Sequence, residues 1–375
     1  MGASDVRTAD APTEVATPGW TLVAPMLALM LGGAGELAWH GDLPSLLLVA
    51  AVPILFAAVF ATVHHAETIA HRIGQPFGSI VLALAVTFIE VSLIVSVLLA
   101  SADGESAVAR DTVFAAMMIV LNGIVGLSLL VGGIRHHSQN FRSASAAAAL
   151  GVLGALAVLC LVLPNYTVAT PGPVYSPVQL TFVATVSLLL YGLFLYVQLA
   201  RHSEDFMDIP FHGDVADARS HEVGKAEMRV ACITLPVALL GVVLLAETLA
   251  GAVERGIAQA GLPEALVGIA IAMVVLMPEG IASLRAARAN RMQTSLNLAL
   301  GSALASLCLT IPTVAIVSLA LGRTLVLGLD GELTVLLVLT LFMSSITLTT
   351  GRTTVLQGGL HLVIFAAFLI LAAEP

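Results

Sequence analysis

Eleven runs of mainly apolar residues, each long enough to cross a bilayer as a helix, occupy most of this chain. They lie near 20–39, 45–63, 78–100, 112–134, 144–163, 178–200, 229–250, 266–284, 295–320, 332–350 and 355–373. In hydrocarbon a segment has to satisfy its own backbone polar groups, so such runs fold as helices or as strands of a closed barrel. Barrel strands are excluded, because the runs are too long and lack alternation between lipid-facing and lumen-facing residues. The expected fold is therefore an all-α polytopic membrane protein with about eleven spans. With 58% hydrophobic and 10% charged residues and a mean hydropathy of +1.01, no soluble domain of any size is left over. The net charge of −9 says little about partners, and no basic cluster with interleaved aromatics points to a nucleic acid. The lipid bilayer is the first partner. Residues 1–19 lack the features of a signal peptide, place Val6 where a myristoylation pattern requires Ser or Thr, and read as a disordered cytoplasmic tail.

Basic residues check the count independently, because cytoplasmic loops carry the excess of Lys and Arg. Arg7, Arg72, Arg135, Arg142, Arg201, Arg219, Lys225, Arg229, Arg285, Arg288, Arg291 and Arg352 fall on one side; Arg110, Arg255 and Arg323 fall on the other. One span more or fewer would scramble that division. The N-terminus is thus placed inside and the C-terminus outside. The third span then runs outward and the eighth inward, which suits an inverted repeat. Spans two to six (45–200) form one half and spans seven to eleven (229–373) the other, with 20–39 as an extra helix. The connector at 201–228 contains the polar stretch 202–227, with seven acids, three histidines and two basic residues. It reads as a solvated cytoplasmic linker, with ion sensing as the sharper alternative.

Two of the spans carry an acid in mid-run. Glu90 is the thirteenth residue of the stretch from Gly78, and Glu279 the thirteenth from Val267. A carboxylate at that depth costs about 2.5–3.5 kcal/mol on insertion scales. Either one alone could be a hydrogen-bonding packing residue; two at matched repeat positions point to a shared site near the midplane. The helices that follow them also align without gaps, NGIVGLSLLVGG (122–133) on GSALASLCLTIP (301–312). Calcium takes six to eight oxygen ligands. Glu90 and Glu279 would supply the charge, and Thr87, Asn122, Ser302, Ser306 and carbonyls freed near Pro278 the remaining oxygens. The same carboxylates could bind protons, since burial favours a neutral carboxyl, and competition between proton and cation at one site is exchange.

Other polar residues have plainer readings. Glu36 and Glu247 lie near the outer ends of outward-running spans and read as interfacial. The segment 63–76, with His64, His65, Glu67 and His71, has the periodicity of a helix lying on the membrane surface. His361 reads as packing in preference to proton handling, and Cys160, Cys232 and Cys308 as packing residues. No cofactor is expected. A cation channel would show a ring repeated by oligomerisation, and an intramembrane enzyme a motif such as HExxH or GxSxG, which is absent. Composition leaves oligomeric state open.

Three stretches in order, HRIGQPFGSIVLALAVTFIEVSLI (71–94), LMPEGIASLRAARANRMQTSLNLALGSALASLCLTIPTV (276–314) and TTGRTTVLQGGLHLVIFAAFL (349–369), resemble ChaA-type bacterial calcium/sodium:proton antiporters. These form part of the cation/proton exchanger branch of the calcium:cation antiporter superfamily. The resemblance implies ten core helices in two inverted five-helix repeats plus one extra helix, in the bacterial inner membrane. It also implies a central site at Glu90 and Glu279 that exchanges Ca²⁺, Na⁺ or K⁺ for H⁺. Many exchangers of the superfamily carry Asn before each repeat Glu; here Ile89 and Pro278 stand there. Two amide ligands are thereby removed, and the cation is left open.

Overall fold

The computed structural model describes residues 18–39, 43–73, 77–100, 105–208, 224–261, 263 and 265–374. The expected cytoplasmic tail and most of the connector, 209–223, lie outside the described residues. Eleven long helices follow one another: α1 (Trp20–Trp39), α2 (Ser45–Ile73), α3 (Phe77–Ala100), α4 (108–136), α5 (Ser143–Tyr166), α6 (Pro177–Arg201), α7 (Lys225–Gln259), α8 (Ala265–Arg288), α9 (Met292–Leu321), α10 (Gly331–Thr349) and α11 (Val355–Ala373). Among the described residues, ten are long and apolar enough to cross a membrane, and α3 is the remaining span. Large apolar side chains exposed on the periphery, such as Val178, Phe182 and Leu189 on α6 and Val335 and Phe342 on α10, face where lipid would lie. The chain is a multi-pass membrane protein built as two inverted five-helix repeats, α2–α6 and α7–α11, with α1 in addition.

Packing obeys the repeat. α4 lies against α11 as α9 lies against α6, and α3 lies against α9 as α8 lies against α4. The buried apolar residues fall into two groups. The larger spans α3–α6 and α8–α11; the smaller joins α1, α2 and α7 to residues of α3 and to Val275 of α8. Among the described residues only α3 and α8, the helices carrying Glu90 and Glu279, contribute to both. An apolar cavity of about 180 Å³ lies in the smaller group, lined by Val52, Leu55, Val59, Leu93, Val242 and Val275 among others.

The helix ends show why the chain turns where it does. Ser176 and Gln179 form a reciprocal cap at the start of α6, with Pro177 in the first turn. Gly322, at φ +65°, closes α9 in the left-handed conformation that a side chain would strain. At the end of the bundle rich in Arg and Lys, Asp208 accepts from the backbone N–H (3.0 Å) and hydroxyl (2.6 Å) of Thr294 and from Arg291 Nε (2.9 Å). The first residues of the connector are thus fastened to the start of α9. At the opposite end, a two-residue parallel ladder pairs β1 (Glu105–Ser106) with β2 (Thr324–Leu325), and Arg323 donates to the carbonyl of Leu98 at the end of α3.

One local expectation is overturned. Residues 63–73 continue α2 without a break and do not form a separate surface helix. His65 is 1% exposed and its Nε2 lies 3.1 Å from the carbonyl of Thr21 on α1. The extra helix α1 covers this segment at His65, and Thr68 is buried too, whereas Arg72 is exposed.

The α4–α11 crossing depends on glycine. A Cβ on Gly358 would lie 2.4 Å from the backbone nitrogen of Leu130 and 2.8 Å from the carbonyl oxygen of Gly126, whereas one on Gly359 would meet nothing within 4 Å. Gly358→Ala should therefore destabilise by roughly 1–3 kcal/mol, the usual range for overpacking, and Gly359→Ala should change little. Thermal melts of the two detergent-solubilised variants check this; equal melting temperatures would contradict the close crossing.

Candidate functional site

Glu90 on α3 and Glu279 on α8 are 6% and 7% exposed, so each carboxyl exists here without bulk water. The Ser306 hydroxyl on α9 donates to Glu90 Oε1. Thr87 is buried one turn before Glu90, and Ser302 is half-buried one turn before Ser306. Residues three or four apart share a helix face, so α3 and α9 present an acid and hydroxyls to one another. Pro278 is buried inside α8 and removes the hydrogen bond that would engage the Val274 carbonyl. Glu279 Oε2 is buried with no hydrogen-bond partner. Glu90 and Glu67 are both near enough to act on Glu279 electrostatically.

The structure does not bring Asn122 to this group. It sits in a π-helical turn of α4, Ile119–Ile124, fully buried and turned toward α10 and α11. Its Nδ2 donates to Thr340 Oγ1 (2.9 Å), and its Oδ1 faces His361 Nδ1 (3.0 Å). His361 Nε2 in turn lies 3.2 Å from Thr347 Oγ1. Asn122 and His361 therefore complete a polar network between helices, and the packing reading of His361 describes its surroundings. The repeat alignment supplies the reason. Asn122 falls on Gly301, whereas the counterparts of Ser302 and Ser306 are Gly123 and Leu127. The half that should serve Glu279 thus has no hydroxyl at the position from which Ser306 serves Glu90.

Sequence reasoning missed a second pair of acids. Ala66-Glu67-Thr68 on α2 and Ala246-Glu247-Thr248 on α7 repeat the same tripeptide on corresponding helices. Glu247, read from its position as interfacial, accepts from Ser96 on the Glu90 helix, and Thr248 Oγ1 lies 3.5 Å from Glu36 Oε1. Glu247 and Glu36 thus bridge helices. The repeated tripeptide was the signal that could have found them.

Among the described residues no group of three His, Cys, Asp or Glu comes together as a metal centre. Two carboxylates with hydroxyls and carbonyls would form an all-oxygen set, suited to hard cations and not to soft metals.

Comparison with known proteins found relatives over almost the whole chain. The model of a family described as sodium/calcium exchanger protein matches residues 43–200 and 230–373. A Sinorhizobium fredii (strain NBRC 101917 / NGR234) protein named no further than as an ionic transporter, y4hA, is 48% identical over 359 residues, covering 96% of this chain and 97% of its own. The sodium-potassium/proton antiporter ChaA of Escherichia coli (strain K12) is 34% identical over 358 residues, covering 93% and 95%. The crystal structure of an H⁺/Ca²⁺ exchanger, CAX, superposes with a TM-score of 0.67 at 15% identity, covering 93% of this chain and 88% of that one, a likeness of fold.

The two polar clusters should separate by mutation. Asn122→Ala removes the amide partner of Thr340 Oγ1 and of His361 Nδ1, so it should lower stability by about 1–3 kcal/mol and leave cation affinity within about twofold. Ser306→Ala should have the opposite profile. Melting temperature and Ca²⁺ or Na⁺ binding measured on both variants check this; a large affinity loss in Asn122→Ala would return that residue to the ligand set.

Proposed function

The chain belongs to the sodium/calcium exchanger family, and on that premise we propose that it is a secondary active cation:proton antiporter of the bacterial inner membrane. It exports Ca²⁺, or Na⁺ or K⁺, against entering protons. The observation that carries this reading is the pair Glu90 and Glu279, buried at matched positions on the two helices that join the packing groups. Two carboxylates neutralise one Ca²⁺, or one monovalent ion with one proton retained. The E. coli relative named for sodium and potassium supports the second loading, and the fold likeness to an H⁺/Ca²⁺ exchanger suits the first. Thr87, Ser302, Ser306 and the Val274 carbonyl are the supporting oxygens. Ile89 and Pro278 bring no amide to the site, so cation choice falls to hydroxyls and carbonyls.

Transport follows from electrostatics. An empty, doubly ionised pair is too costly to carry across the low-dielectric centre, whereas a protonated or cation-loaded pair is not. Alternating access in inverted-repeat transporters arises when one bundle rocks against another around a fixed midplane site. Here α1, α2 and α7 form the smaller body, and the apolar cavity beneath it leaves volume for that motion. The N-terminus and the 201–228 connector lie in the cytoplasm and the C-terminus outside, as the division of basic residues requires.

Neutralising either acid, Glu90→Gln or Glu279→Gln, should abolish exchange while the protein remains folded, because a buried amide is no harder to insert than a buried acid. In vesicles with an imposed pH gradient, the transported cation should dissipate that gradient in wild type. The sign of the pH effect is fixed: protons occupy the same oxygens, so apparent cation affinity rises as pH increases and falls as the site protonates. Flux indifferent to the gradient would contradict shared-site antiport. Orientation is checked by an impermeant maleimide on single cysteines at Arg142 and Gly261; labelling of Arg142→Cys only from outside would invert the topology.

A further inference from the structure

We propose that the seam between α4 and α8 is a proton path between Glu279 and the cytoplasm, separate from the route of the cation. The proposal rests on the antiport reading and adds the residues that move the proton.

The two helices run in register along this seam. At the level of Glu279, a Cβ on Gly280 would lie 3.3 Å from Ile124. One turn toward the basic end, Ser128 Oγ of α4 meets Ser283 Oγ of α8 at 3.2 Å. Ser283 Oγ also donates to the Ser295 carbonyl (3.0 Å) and lies 2.8 Å from Ser295 Oγ on α9. A further turn along, the Gln139 side chain closes the seam, its Nε2 donating to the Ala287 carbonyl (2.8 Å) and to Asn290 Oδ1 (3.0 Å). Its Oε1 lies where a Cβ on Gly132 would fall. Beyond it, His136 Nε2 is 3.1 Å from the Arg288 carbonyl at the surface.

Interhelical serines are also simple adhesive, but three observations favour conduction. The file is buried throughout, with Ser128, Ser283 and Ser295 at 0% and Gln139 at 2% exposure, so a cation with its hydration shell cannot pass. Oxygens at both of its ends, Glu279 Oε2 and Gln139 Oε1, are buried with no hydrogen-bond partner, so each has an acceptor position open to the relay. The repeat does not reproduce it, since Ser283 falls on Ile94 and Ser128 on Leu307. Packing alone would be served as well by that apolar pair on the other side.

A proton passes such a file by relay. Each hydroxyl or water accepts a proton on a lone pair and releases its own, so nothing is consumed. From Ser283 to Glu279 the backbone rise is about 6 Å along the helix, and hydration of that turn would complete the file.

The test compares Ser283→Ala and Ser283→Thr with wild type in reconstituted vesicles, using radiolabelled Ca²⁺ and Na⁺. Cation self-exchange at equal pH needs no net proton movement; gradient-driven exchange does. Ser283→Ala should keep self-exchange within about twofold yet slow gradient-driven exchange at least about tenfold, with an enlarged solvent deuterium effect. Ser283→Thr, which keeps a hydroxyl, should restore it. Equal slowing of both modes would assign Ser283 a structural role, and unchanged gradient-driven exchange would remove it from the path; either overturns the proposal. Wild type that moves no protons at all would refute the antiport reading instead.

Discussion

An ionised carboxylate in the middle of a membrane protein is tolerable only when something neutralises it. Glu90 and Glu279 impose that condition twice within electrostatic reach of one another, and the architecture around them follows from it. Burial makes each acid demand a counter-charge, a proton or a cation, and their proximity makes the demand joint. On the antiport reading proposed above, coupling follows from that joint demand. A site that crosses only when neutral exchanges whatever neutralises it.

The inverted repeat supplies the geometry and breaks its own symmetry where chemistry is required. α3 and α8 stand in corresponding places, and each contacts the partner helix that the other's position predicts. Yet Glu90 receives the Ser306 hydroxyl while the corresponding residue beside Glu279 is Leu127. Glu279 instead has the Ser283 hydroxyl one turn toward the basic end, where the Glu90 helix has Ile94. The hydroxyls near the two acids therefore differ, coming from α9 at Glu90 and from further along its own helix at Glu279. A strictly symmetric pair would have no such difference.

Much of the fold could be read because lipid leaves a chain few choices. A run of about twenty apolar residues has to be a helix there, and the predicted spans match the observed helices closely. Where protein replaces lipid as the neighbour, less could be read. The segment around His65 resembles a surface helix until α1 covers it and the Thr21 carbonyl meets the imidazole. Asn122 resembled a ligand because it lies in the helix after Glu90; the π-helical turn, invisible in residue types, directs it toward Thr340 and His361. Glu67 and Glu247 were legible in the repeated Ala-Glu-Thr but were weighed one at a time, as surface and interfacial residues.

The central claim is that proton and cation occupy the same two carboxylates. Counting the protons released when the purified protein binds Ca²⁺ or Na⁺ tests it most directly, by calorimetry in buffers of different ionisation enthalpy, with no membrane gradient to interpret. Cation binding to a protonated site expels protons. Release should therefore accompany binding near neutral pH, diminish as pH rises and the site is already ionised, and shrink further in Glu90→Gln and Glu279→Gln. Tight binding with no proton release at any pH would contradict the shared site.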